Sequence, residues 1–281
     1  MEDHAALRID AHHHLWRYRE AEFGWIDASM ARLRHDFLPA DLAQELEYAG
    51  VHGTVAVQAR ETVEETNWLL ECARSSPAIR GVVGWAPLAA DDLAAVLDCW
   101  SEERRLVGFR EIAQGKPAGF LDEERFNRGV QQLTQRSLTY DLLIYENQLE
   151  EAIRFVDAHP RQRFVLDHAA KPRIAAGELE PWQTNLRELA RRENVMCKVS
   201  GMVTEADWEH WTPEALRPYL DACVEAFGTG RLMAGSDWPV CLVAAGYSRW
   251  WEVLGQYFAG FGSEEVQRVL GGNAVEFYSL I

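Results

Sequence analysis

Eight short apolar runs, each followed by a stretch of helical periodicity, recur along this chain at intervals of very roughly 30 residues. No other feature limits the fold as much. The runs occupy residues 8–11 (leading into three histidines), 53–60, 79–86, 106–112, 139–145, 163–169, 195–201 and 231–238. Runs such as Thr54-Val55-Ala56-Val57 are β-branched or apolar throughout, as in strands buried on both faces. Helical patterns cover 39–49, 61–76, 91–103, 122–136, 147–159, 182–193 and 213–227, followed by 247–259, 263–270 and a closing segment at 273–278. Pro39 opens the first helix and Gly50 stops it, while residues 17–38 read as a long loop. Parallel strands need crossover connections, so this alternation implies an α/β fold with a parallel sheet. With no linker or composition shift in 281 residues, the expectation is one domain over 1–281, a TIM-like (β/α)8 barrel. A doubly wound open sheet is the alternative. It would usually carry a Gly-rich phosphate loop after the first strand, where this chain has His12-His13-His14.

The formal charge of −16 argues against nucleic acid and anionic membrane surfaces as partners, since both call for a basic patch. No apolar stretch reaches the roughly 18 residues of a membrane span. The first residues, Met1-Glu2-Asp3-His4, lack the basic start and apolar run of a leader peptide. Five scattered cysteines without a C-x-x-C pair fit reduced thiols, so a cytoplasmic location is expected.

In a barrel, functional side chains gather at the C-terminal strand ends. Strand alternation puts His12 and His14 on one face and His13 on the other. The following ends supply Gln58 and Arg60, Trp85, Arg110 and Glu111, Tyr145, Asp167 and His168, Lys198 and Ser200, then Ser236, Asp237 and Trp238. Few of these suit a barrel core, and nearly all are usable at a polar site.

Four motifs, taken in order, resemble the amidohydrolase superfamily: Asp10-Ala-His12-x-His14-x-Trp16, Leu166-Asp167-His168-x-Ala-Lys171-Pro172, Lys198-x-Ser200-Gly201 and Gly235-Ser236-Asp237-Trp238-Pro239. The likeness is greatest to its sugar-lactonase branch, with the L-fucono-, L-rhamnono- and pyrone-dicarboxylate lactonases. It extends to Asn273-Ala274-x-x-Phe277-Tyr278 and so covers nearly the whole chain. The resemblance implies a (β/α)8 barrel that hydrolyses lactones. It departs from the two-metal members of the superfamily, because the fourth strand ends in Phe109-Arg110-Glu111 rather than a lysine and the fifth in Tyr145 rather than histidine. One divalent metal, zinc foremost, or none is therefore expected, since the pyrone-dicarboxylate lactonases work without metal. The ligand candidates are His12, His14, Glu111, His168 and Asp237.

Lactone hydrolysis needs a base for water, an electrophile for the oxyanion and a donor for the leaving alkoxide. Asp237 suits the base, with a strand-end turn as the alternative. His12, His14 and His168 would polarise the carbonyl, directly or through a metal. Arg110 would hold a substrate oxygen or carboxylate, or else pair with Glu111 or another acid at the barrel rim. Lys171 and Tyr145 would line the pocket, and Trp16, Trp25, Trp85 and Trp238 are candidates to wall a sugar ring, with Trp25 on a loop long enough to act as a lid. A small sugar lactone is the expected substrate, and oligomeric state is left open. A dicarboxylate lactone, which Arg60 and Arg110 would clamp, a decarboxylase and a non-catalytic sugar-acid-binding barrel are the alternatives.

Overall fold

The computed structural model describes residues 7–281. The N-terminal segment to which the leader-peptide reading applies lies outside the described residues. Eight strands, β1 (Ile9–His13), β2 (Gly53–Val57), β3 (Ile79–Gly84), β4 (Leu106–Ile112), β5 (Thr139–Leu143), β6 (Phe164–Leu166), β7 (Val195–Val199) and β8 (Leu232–Ala234), pair in parallel in sequence order. Beyond β8 the chain continues the ring. Asp237 N donates to His12 O at 2.8 Å and His14 N to Trp238 O at 2.6 Å, so the first and last strands meet at the site itself. A (β/α)8 barrel results, as the alternation implied.

Local chemistry sets the helix boundaries. In α1 (Pro39–Ala49) the proline occupies the first turn, Asp41 accepts from Leu38 N at 2.8 Å, and Gly50 ends the helix with φ +63°. Thr62 Oγ1 caps α2 (Val63–Ser75) by accepting from Glu65 N at 3.1 Å. Several strands are shorter than expected. The run 163–169 leaves the sheet after Leu166, because His168, Ala169, Ala170 and Lys171 all take left-handed backbone (φ +49° to +60°). The run 231–238 leaves after Ala234, ahead of Asp237 at φ +59°. The helix expected at 91–103 is confined to α3 (Leu93–Asp98), and the loop 17–38 holds one short 3-10 segment, Ala28–Leu33.

The barrel is packed in layers. An apolar layer of Ile9, Val55, Val83, Val107, Val165 and Met233 is closed by Phe277 and Tyr278 from the C-terminal helix. Strict alternation from Ile9 and Ala11 would turn His13 inward. A register shift between Asp10 and His13 resets the phase instead, so His12 joins the interior and His13 faces outward, with Nε2 3.0 Å from Thr54 Oγ1. One extra residue in β1 thus aims the histidine pair at the barrel axis.

Candidate active site

His14 Nδ1 lies 2.8 Å from the carbonyl oxygen of Val57. A carbonyl only accepts, so His14 carries a proton on Nδ1. In the neutral ring the lone pair is then on Nε2, which points into the barrel mouth. His12 is fully buried. Its Nδ1 stands between Lys198 Nζ (3.2 Å) and Asp167 Oδ1 (3.3 Å), and its Nε2 is 3.2 Å from His14 Nε2. His168 Nδ1 is 2.8 Å from Ser200 Oγ, leaving Nε2 directed at the same centre.

That centre is Asp237. Its Oδ1 lies 3.9 Å from His12 Nε2, 3.4 Å from His14 Nε2 and 3.8 Å from His168 Nε2. The turn carrying it is anchored from below by Asp10. Asp10 Oδ1 accepts from Ser236 N (2.8 Å) and His12 N (3.1 Å), and Oδ2 accepts from Ser236 Oγ (2.6 Å) and Tyr247 OH (3.0 Å). One buried carboxylate therefore ties the histidine strand to the aspartate turn.

Beneath the site lies a charged layer that the strand pattern alone did not reveal. Lys198 is fully buried, 2.5 Å from Asp141 Oδ2 and 3.0 Å from Asp167 Oδ1, and Tyr278 donates to Asp141 at 2.8 Å. Arg110 Nη1 meets Asp167 Oδ2 at 3.1 Å, and Nη2 donates to the Gln58 carbonyl at 2.5 Å and to Gln58 Oε1 at 3.1 Å. A buried charge is tolerated only when paired in this way. A lysine and an aspartate inside otherwise apolar strands were the available signal. Their pairing across the barrel is not written locally.

The electrostatics follow. Burial pushes His168 down to about 4 and His12 well below its ordinary value, so both rings are neutral near pH 7. Burial works against ionisation of Asp237, but the surrounding imidazoles, His168 foremost, and Lys171 outweigh it and hold the carboxyl below its usual value. Asp167 is likewise held well down against burial by Lys198 and His12.

A cavity of about 430 Å³ opens above these groups, and His14, Arg110, His168 and Asp237 are at its floor. Trp25, which is 45 % exposed, Tyr145 and Lys171 line its walls as expected, joined by Gln114, Thr204 and Glu205 from the loops after β4 and β7. Other expected residues are elsewhere. Trp238 does not line the cavity. It is 2 % exposed and packs edge-on against Phe37, because the left-handed turn at Asp237 sends the next side chain away from the mouth. Trp16 is buried among Phe23, Trp25 and Phe37. Glu111, proposed as a metal ligand or a partner of Arg110, is neither. It alternates outward from Arg110, accepts from Trp85 Nε1 at 2.8 Å and pairs with Lys116. Arg60 is held by Glu22 and Glu65.

The donor set fits a cation. His12, His168 and Asp237 each offer a ligand atom, all within 4.8 Å of one another. His14 Nε2, an acceptor in its neutral form, faces the Asp237 carboxylate at 3.4 Å. Two acceptors at that distance call for positive charge between them, either a second proton on His14 or a divalent ion.

The amidohydrolase family model matches residues 9–280 of this chain. A Burkholderia multivorans protein named L-fucono-1,5-lactonase is 40% identical over 98% of this chain and 97% of its own length. One of the same name from Burkholderia ambifaria is 36% identical over 98% and 96%. A crystal structure of an amidohydrolase from Burkholderia multivorans with bound zinc superposes with a TM-score of 0.95 at 40% identity, covering 98% of this chain and all of that one. Matched from the first strand to the last helix, the chain belongs to the amidohydrolase family.

Proposed function

We propose that this protein hydrolyses a neutral sugar-derived lactone of the L-fucono-1,5 type to its aldonic acid, with Asp237 as the base. The carrying observation is the convergence of three imidazole nitrogens on Asp237 Oδ1, at 3.4–3.9 Å, on the floor of a cavity of about 430 Å³. The names of the two Burkholderia relatives support the substrate class. In this reading Asp237 takes a proton from the water that adds to the lactone carbonyl. The ring C–O bond breaks as the tetrahedral carbon collapses, and the alkoxide receives the proton from Asp237. Trp25 and Tyr145 pack against the ring. Because the His14 proton is committed to Val57, neutral His14 has no Nε2–H to give the carbonyl, so it accepts rather than polarises directly. His12, His168 and Asp237 would hold one divalent ion beside His14. Zinc suits these donors and would supply Lewis-acid polarisation when bound. Five free cysteines in an acidic chain support a cytoplasmic location.

The dicarboxylate alternative is disfavoured by charge. Arg110 spends both terminal nitrogens on Gln58 and Asp167, and Arg60 is held by glutamates, which leaves Lys171 facing the cavity. A panel of neutral aldonolactones, a pyrone dicarboxylate and hydroxybenzoates tests the assignment by acid or carbon dioxide release. L-Fucono-1,5-lactone should be turned over fastest. Turnover of none of the neutral lactones would sink the proposal.

A further inference from the structure

Lys171 and Glu205 face one another as an open ion pair on the cavity wall. Nζ and Oε1 are 3.9 Å apart, beyond hydrogen-bonding distance, and both side chains line the cavity. Both residues sit on short constrained segments at the strand ends. Lys171 ends the left-handed run that begins at His168 and is followed by Pro172, while Glu205 ends the short 3-10 segment Met202–Glu205 after β7. Lys171 Nζ also stands 5.8 Å from the centroid of the Tyr145 ring. Among the described residues neither charged group has a hydrogen-bond partner in the protein.

Unpartnered polar groups at a partly desolvated wall specify their ligand by what they lack. Glu205 needs a donor, and Lys171 needs an acceptor. A hydroxyl is both, so it can donate to Glu205 and accept from Lys171 across the open pair. A carboxylate in the same place offers acceptors only and puts a second negative charge against Glu205. Resting on the lactonase reading above, we infer that Lys171 and Glu205 read a substrate hydroxyl, and that Glu205 restricts the enzyme to neutral polyhydroxy lactones by rejecting those with a second carboxylate.

The test compares L-fucono-1,5-lactone with an aldaric lactone bearing a free carboxylate, on wild type, Glu205→Gln and Lys171→Met, with thermal melting as a folding control. Glu205→Gln should raise KM for the neutral lactone about tenfold and raise kcat/KM for the anionic one about tenfold or more, a size consistent with one hydrogen bond to a charged group. Lys171→Met should shift the neutral-to-anionic ratio the other way, because it leaves Glu205 unopposed. A packing defect would lower both substrates together. If wild type cleaves neither lactone, the lactonase reading fails and this inference with it. If wild type cleaves the neutral lactone and the ratio is unmoved in both variants, the inference alone is overturned.

Discussion

A β-carbon at Gly201 would stand 2.7 Å from Nδ1 of His168, the nitrogen that faces Ser200 Oγ. The same atom would lie 3.0 Å from Asp237 Oδ2, and Gly201 itself has φ +62°. Both the close approach and the left-handed backbone exclude other residues here. Gly201→Ala should therefore push the His168 ring off Asp237 and lower kcat/KM about 100-fold or more. The strained backbone should cost about 1–2 kcal/mol of stability. Kinetics beside a melting curve would separate the two effects, and near-normal kcat/KM would refute the constraint.

Asp237→Asn keeps the shape of the turn and removes the proposed base. A loss of about 100-fold or more in kcat is expected from a missing general base. On the proposed mechanism, wild-type activity requires ionised Asp237 and neutral His168. The first is held below the ordinary carboxylate value, and the second is pushed down to about 4 by burial. Both active forms therefore dominate at neutral pH and are lost only in acid. The kcat/KM profile should be flat from about pH 6 to pH 8 and fall only as pH drops through about 4. A midpoint near the ordinary histidine value of about 6.5 would contradict the assigned protonation states.

The strand–helix alternation and the motifs around His12, His14, His168 and Asp237 were legible because each depends on residues adjacent in sequence. What was missed depends on contacts between distant strands. The β1 bulge changes which residues face inward without any glycine or proline to announce it. Trp238 was expected in the cavity because it follows Asp237, but a single positive φ redirected it. Glu111 lost its expected role to alternation, since Arg110 takes the inward position. Glu205 and Gln114 lie just past strand ends, where polar loop residues are common and only the closed barrel shows which of them reach the cavity.

Asp10 offers a stability test independent of catalysis. Burial pushes its carboxyl up to about 6, although hydrogen bonds from Ser236, His12 and Tyr247 pull the other way. Between the unfolded value near 3.8 and about 6, the native state then binds more protons than the unfolded state. This group's contribution to stability is thus fully present below about pH 4 and is lost as pH rises through about 6. Asp10→Asn has no such titration. Relative to wild type, the variant should gain on the order of 3 kcal/mol between pH 4 and pH 7, as read by urea unfolding at each pH. A pH-independent difference would show that Asp10 titrates normally.

The ligand geometry makes metal content a quantitative prediction. His12, His168 and Asp237 hold their donor atoms within 4.8 Å of one another, and the neutral form of His14 presents a further lone pair. The purified protein should carry close to one equivalent of a divalent ion by elemental analysis, and His168→Asn should reduce it well below that. A ligand that binds only the folded state raises stability by mass action, about 2.7 kcal/mol at a free concentration 100 times Kd. Chelation should therefore lower the melting temperature of wild type and leave His168→Asn nearly unmoved. Zinc should restore both melting temperature and lactone hydrolysis in wild type. Full activity in metal-free protein would mean that a proton on His14, rather than an ion, bridges His14 and Asp237.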